Sequence, residues 1–142
     1  MKLSAKTKFA GKILCELARA GCDSSLSAGA LARLAGVSVK FAETVLVRLR
    51  QAGMVESLRG AGGGYRLIRP LDGISLGDVL RIMEGGVILD VCCGKKANDC
   101  PRQADKCETR RILRVLSGKL MDKLNRVSME DFLRGERRCS GA

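Results

Sequence analysis

Three cysteines, Cys93, Cys100 and Cys107, follow one another with six residues between neighbours in a stretch rich in Gly, Lys and Asp. Thiolates are soft ligands that select zinc, copper(I) or iron–sulfur clusters over hard cations. The stretch is too polar to give three unliganded thiols a core of their own, so metal binding is the leading reading of the trio. Structural zinc favours close pairs of cysteines and four protein ligands. Wide gaps and an incomplete ligand set suit a labile cluster better, with zinc as the competitor. Lys95, Lys96 and Lys106 lie beside the cysteines and favour the thiolate form that ligation requires.

A second group of residues points to a polyanion. The net charge is +11, and residues 1–70 hold 12 Lys and Arg against 4 Asp and Glu, whereas residues 71–142 hold 14 against 11. The front half therefore faces the polyanion. Charge alone would suit DNA, RNA or a membrane surface, so the elements must decide.

Ser4 is placed to cap a first helix that carries Phe9, Ile13, Leu14, Leu17 and Ala18 at helical spacing and ends near Gly21. Ser27 caps a short second helix with Leu31 and Leu34 on one face, stopped by Gly36. A third helix runs from about Val39 to Ala52, with Ala42, Val45, Leu46 and Leu49 inward and Gly53 as a left-handed terminator. Helix, tight glycine turn and helix is the arrangement of a helix-turn-helix reader. Lys40, Phe41, Thr44, Val47 and Arg48 are expected to face outward.

Two short strands, Met54 to Leu58 and Tyr65 to Ile68, flank the run from Arg59 to Gly64, which has four glycines: Gly60, Gly62, Gly63 and Gly64. A hairpin directly behind the third helix is the wing of a winged helix, and glycine lets its backbone approach a partner closely. The alternative of a nucleotide phosphate cradle fails, because no Lys-Ser/Thr follows and no helix opens behind the loop. Ser75 with Asp78 forms a capping box for a fourth helix through Met83, ended by Gly85 and Gly86. From Glu108 the residues Ile112, Val115, Leu116, Leu120, Leu124 and Val127 make a long amphipathic stripe. So short a chain offers it no second partner, and the same helix of another subunit is the economical one. Ser128 and Asp131 repeat the capping pattern before Phe132 and Leu133, and Arg134 to Ala142 read as a frayed tail.

With 46% hydrophobic residues but one Tyr, three Phe and no Trp, the core is aliphatic and the fold class is mainly α with a small β-hairpin. No apolar run near Met1 acts as a signal, and no stretch approaches the roughly 20 apolar residues of a membrane span. The expectation is a cytoplasmic protein with no membrane partner. Seven cysteines, an odd number without an export signal, do not make a disulfide scaffold. Cys15, on the apolar face of the first helix, reads as a small core residue.

Met1-Lys2-Leu3-Ser4, Leu49-Arg50-Gln51-Ala52-Gly53-Met54-Val55, Arg59-Gly60-Ala61-Gly62-Gly63-Gly64-Tyr65 and Ile74-Ser75-Leu76-Gly77-Asp78-Val79 occur together and in this order. In this the chain resembles the Rrf2 family of bacterial winged-helix regulators, which includes IscR, NsrR, RirA and CymR, along nearly its whole length to about Leu133. The resemblance implies a homodimeric transcription factor that binds operator DNA and carries a 2Fe–2S or 4Fe–4S cluster on Cys93, Cys100 and Cys107. One departure matters. IscR-like members ligate iron through a histidine three positions after the third cysteine, where this chain has Arg110, and there is no histidine anywhere. NsrR-like members use an acidic residue of the first helix, where this chain has Lys8. Candidates for the fourth ligand are Glu16, Asp90, Asp99, Asp105, Cys92 or a small exogenous ligand. Cys92 ranks first among protein groups because thiolate is the usual cluster ligand. The missing histidine favours 4Fe–4S over 2Fe–2S.

The reading that results is a winged helix-turn-helix DNA-binding unit over residues 1–70, then a connecting helix and cysteine loop over 71–107. A dimerisation helix and a short end helix follow over 108–133, with a flexible tail over 134–142. Ser38, Lys40, Phe41, Glu43, Thr44, Arg59, Gly60 and Gly62 are the candidate DNA contacts of the third helix and wing, with Lys6 and Lys8 placed for phosphates. Glu43 repels phosphate but can accept from cytosine N4. Arg59 could pair with Glu56 instead; attraction of arginine to a narrow minor groove favours DNA. Ile112, Val115, Leu116, Leu120 and Leu124 are the candidate dimer seam. Competing readings are a cluster-free or zinc-stapled regulator of the CymR kind and, from another class, a redox electron carrier. The carrier reading is disfavoured by the basic reader, and no histidine or pocket signature suggests an enzyme.

Overall fold

The computed structural model describes residues 3–89 and 107–139, with side chains as far as residue 135. Among the described residues, six α-helices, one antiparallel hairpin and one 3-10 turn follow in the order α1 Ala5–Ala20, α2 Ala28–Ala35, α3 Val39–Gln51, β1 Val55–Leu58, β2 Gly64–Leu67, the turn Leu71–Gly73, α4 Leu76–Glu84, α5 Glu108–Asn125 and α6 Met129–Cys139. Most of the described α-helix starts are set by serine. Ser4, Ser27, Ser38 and Ser75 each accept a backbone N–H of the first turn, and Ser75 completes a reciprocal box with Asp78. Each such cap is worth about 1 kcal/mol. Ser128 and Asp131 make the same exchange at the head of α6.

The core is aliphatic, as expected. Ile13, Leu14 and Leu17 of α1, Leu31 of α2, and Ala42, Val45, Leu46 and Leu49 of α3 are buried, with Cys15 beside them. Val55 of β1, Ile74 before α4, Val79 and Met83 of α4, and Met129 of α6 join the same cluster. Met129 is tied in by backbone as well: its N–H donates to Ile74 O at 2.8 Å, and Leu76 N–H donates to Val127 O at 2.8 Å. The hairpin pairs Val55 with Leu67 and Leu58 with Gly64. A third, one-residue rung joins it to the segment before α2, where Leu26 and Tyr65 exchange both backbone hydrogen bonds.

Four expectations are corrected. Leu34 is exposed, because Leu31, Ala32 and Ala35 form the buried face of α2. The strands begin and end within a residue of the expected bounds, Met54 and Ile68 lying just outside them. Val127 is not in α5, which ends at Asn125, but in the link that pairs with α4. Finally, α6 continues to Cys139, so the helix runs into the segment expected to be a tail from Arg134.

Candidate nucleic-acid interface

Gly36, in the left-handed conformation at φ 72°, turns the chain from α2 so that Ser38 can cap α3. The Ser38 hydroxyl accepts Phe41 N–H at 3.2 Å, which fixes the direction in which α3 leaves the body. Because Ala42, Val45, Leu46 and Leu49 are wholly buried, the opposite side of the helix is presented to solvent. Val39, Lys40, Glu43, Thr44 and Val47 are exposed there. The Thr44 hydroxyl donates to Lys40 O at 2.9 Å, so its oxygen is free to accept.

Phe41 and Arg48, expected to face outward, are only half-exposed. The Phe41 ring meets Phe9 of α1 edge-on, centroids 5.6 Å apart. Arg48 donates to Met83 O at the end of α4, at 3.0 Å. Both therefore brace α3 against neighbouring helices. Helical spacing marked them as outward, but it carries no information on which neighbour reaches around the flank.

The wing stands behind α3. Arg66 holds Glu56 at 2.7 Å, so Glu56 is not the partner of Arg59. Arg59 is exposed at the start of the loop and makes no hydrogen bond or ion pair among the described residues. The glycines of the loop divide into two kinds. A Cβ on Gly63 would lie 2.5 Å from Leu58 O, and one on Gly64 would lie 2.6 Å from the Leu26 backbone, so these two are demanded by the chain's own packing. Around Gly60 and Gly62 the space is open, and Gly60 alone of the loop has a positive φ, 108°. Ser25 donates to Gly62 O at 2.7 Å and anchors the loop to the α1–α2 connection.

Lys8 is exposed and Lys6 half-exposed at the start of α1. That end is held by Glu84, the last residue of α4, whose carboxylate accepts Ser4 N–H at 2.9 Å and the hydroxyl of buried Thr7. The Thr7 hydrogen bond, aided by Ser4 and opposed by partial burial, holds the Glu84 carboxyl below its ordinary pKa. Neither Thr7 nor Glu84 was legible as part of the site, since a contact across seventy-odd residues leaves no local pattern.

Of the proposed metal ligands, Cys107 is the half-exposed N-cap of α5 and makes no side-chain capping bond, which leaves its thiol available. Cys92, Cys93 and Cys100 lie outside the described residues. Among the described residues no three His, Cys, Asp or Glu side chains converge on a metal site. On α5, Ile112, Val115 and Leu116 are 54%, 54% and 47% exposed, while Leu120 and Leu124 are half-buried. α5 buries no residue fully. Arg111 and Lys119 flank the exposed trio along a shallow groove.

No described helix is long and apolar enough to cross a membrane. Residues 3–135 match the model of the family Rrf2, iron-dependent transcriptional regulator. The HTH-type transcriptional regulator IscR of Vibrio vulnificus strain YJ016 is 32% identical over 133 residues, covering 94% of this chain and 77% of the relative. Among solved structures, T. potens IscR superposes with a TM-score of 0.72 at 26% identity, over 96% of this chain and 88% of that one. CymR, the global cysteine regulator of B. subtilis, gives 0.72 at 27% identity, over 94% and 97%. These similar proteins are regulators and not enzymes, and with a family match spanning nearly every residue the chain belongs to the Rrf2 family of DNA-binding transcriptional regulators.

Proposed function

We propose that this chain is a cytoplasmic, homodimeric regulator whose operator affinity is set by an iron–sulfur cluster. The observation that carries the DNA reading is the exposed face of α3 with Lys40, Glu43 and Thr44, together with an exposed Arg59 on the wing that has no partner among the described residues. α3 enters the major groove, where Lys40 and Thr44 reach base edges and Glu43 accepts from cytosine. Arg59, with Gly60 and Gly62 leaving the backbone unshielded, enters the adjacent minor groove. Lys6 and Lys8 meet phosphates. Phe41 supports this face through Phe9, and Ser38 sets its direction.

Cys93, Cys100 and Cys107 would hold the cluster, and the free, half-exposed thiol of Cys107 suits that role. When bound, the cluster supplies redox-sensitive, labile ligation. A 4Fe–4S type and Cys92 as a fourth ligand remain our preferred assignments, because no histidine is available. Residues 1–70 act as the reader, 71–107 as the connection and sensor, and 108–133 as the dimer arm. A cluster-free or zinc-stapled regulator is the second reading. It is supported by the equal likeness to IscR and to CymR, both at TM-score 0.72.

Anaerobic purification separates the two. The expected protein is brown, contains iron and acid-labile sulfide, and loses colour in each of Cys93→Ala, Cys100→Ala and Cys107→Ala. Zinc in place of iron supports the second reading, and colour retained in all three variants overturns the ligand assignment. DNA binding at fixed salt, with and without the cluster, then tests control: equal affinity of the two forms removes the sensing role.

A further inference from the structure

Val39 and Val47 are 47% and 39% exposed on α3, although neither position needs an apolar residue for the core. β-branched side chains lose rotamer freedom in a helix. A face meant only for water is better filled by Ala, Glu, Lys or Arg. The two valines also have an ordered placement. Each lies four residues from Glu43, one on either side, so the three form a single inclined row beside Lys40 and Thr44. With a rise of about 1.5 Å per residue, neighbours in the row are about 6 Å apart along the helix.

An isopropyl group gains nothing from a phosphate. On the floor of the major groove the apolar feature is the C5-methyl group of thymine. Resting on the DNA-binding reading above, we propose that Val39 and Val47 read thymine methyl groups on either side of the base that faces Glu43. The spacing of the row, about 12 Å from first to last at about 3.4 Å per base step, places the two thymines three or four base pairs apart. The row thus specifies three positions of a half-site by chemistry: methyl, cytosine amine, methyl.

The test starts from the full-length protein selecting a binding sequence from a pool of random duplexes. Each thymine of the selected half-site is then replaced by deoxyuridine, which removes only the methyl group. Replacement should weaken binding about fourfold at two positions, the effect of one buried methyl-sized group. Val39→Ala should abolish the penalty at one position and Val47→Ala at the other, each variant binding the uridine duplex as the unmodified protein does. Val47→Thr, which keeps the shape and one methyl, should retain part of the penalty. Because both sites are exposed and alanine favours helix, circular dichroism should show unchanged helix content. Uridine without effect at every position, or equal penalties in the unmodified protein and both alanine variants, overturns the proposal while leaving DNA binding intact. Selection that enriches no sequence overturns the DNA-binding reading itself.

Discussion

Lys8, Lys40 and Arg59 carry the same charge, yet their surroundings assign them different work. Lys8 stands exposed on the first turns of α1, whereas Lys40 lies at the head of α3, the helix that we place in the groove. Lys8→Ala should weaken binding to specific and scrambled duplexes alike and lower the salt slope by about 0.9. Lys40→Ala should cost about 1–3 kcal/mol at one operator position and relax preference there. Arg59→Ala should fall between, losing most affinity for duplexes with narrow, A·T-rich minor grooves. Binding isotherms on both duplexes at several salt concentrations distinguish the three, and identical behaviour of the Lys40 and Arg59 variants to the unmodified protein would remove the docking geometry. Glu84 gives a second prediction at this scale. Its carboxyl is held below its ordinary pKa by Thr7 and Ser4, so its contribution to stability is present above the unfolded value near 4.3 and is lost as pH falls through the lower folded value. Asp78 behaves alike: burial pushes its carboxyl up, but bonds from Ser75 and Arg81 prevail and lower it. Glu84→Gln should be less stable than the unmodified chain in urea at about pH 7, and the gap should narrow as pH falls below the unfolded value. A gap independent of pH would mean that the carboxylate charge is not what joins α4 to α1.

Among the elements, α6 is the one whose role the structure enlarges. Its capping pattern, Ser128 to Asp131, is plain in the sequence, but its destination is not. Met129 is 1% exposed in the core it shares with α1, α2, α3 and α4, and Leu133 packs at its edge. Met129→Ala should cost about 2–5 kcal/mol, as for other buried apolar truncations. Denaturant unfolding should show a fall in midpoint with an unchanged slope, since one cooperative core is involved. A loss below about 0.5 kcal/mol, the range of ordinary surface substitutions, would show that α6 is only loosely attached. The same contrast explains what could be read in advance. Caps, glycine stops and the buried face of α3 follow from the chemistry of a few neighbouring residues, and all were legible. The exposure of Leu34, the bracing of Phe41 by Phe9 and the Arg48 bond to Met83 depend on which helix packs on which flank. So does the Glu84 tie to α1. Periodicity marks a buried face but does not name the element that covers it. For the candidate site, the chemistry of Lys40, Glu43 and Arg59 was legible from residue type and position behind the turn. That Arg59 has no partner among the described residues, because Arg66 takes Glu56, needed the hairpin register.

At the scale of the whole molecule, α1, α2, α3, α4 and α6 each bury residues in one shared core, while α5 buries nothing fully and exposes Ile112, Val115 and Leu116 together. An apolar stripe of this kind, flanked by Arg111 and Lys119, suits the same helix of a second copy, which would present an identical stripe about a two-fold axis. In the proposed dimer, the seam would fix the separation of the two α3 helices, and bound half-sites would lie about 34 Å, one turn of DNA, apart or a multiple of it. Leu116→Asp places a charge on the seam and should yield monomers, at a cost of several kcal/mol to association unless the group stays neutral. The exposed position means that the folded monomer should survive with its helix content unchanged. Light scattering reads the mass. A duplex carrying two half-sites should then lose its advantage over a duplex carrying one, because the linkage that raises effective concentration is gone. Inserting about 5 base pairs between the half-sites, which turns one face away from the other, should abolish the same advantage for the unmodified dimer. Intact dimers in Leu116→Asp would move the seam elsewhere on the chain. An unmodified dimer indifferent to the insertion would show that its two readers are not held in fixed register.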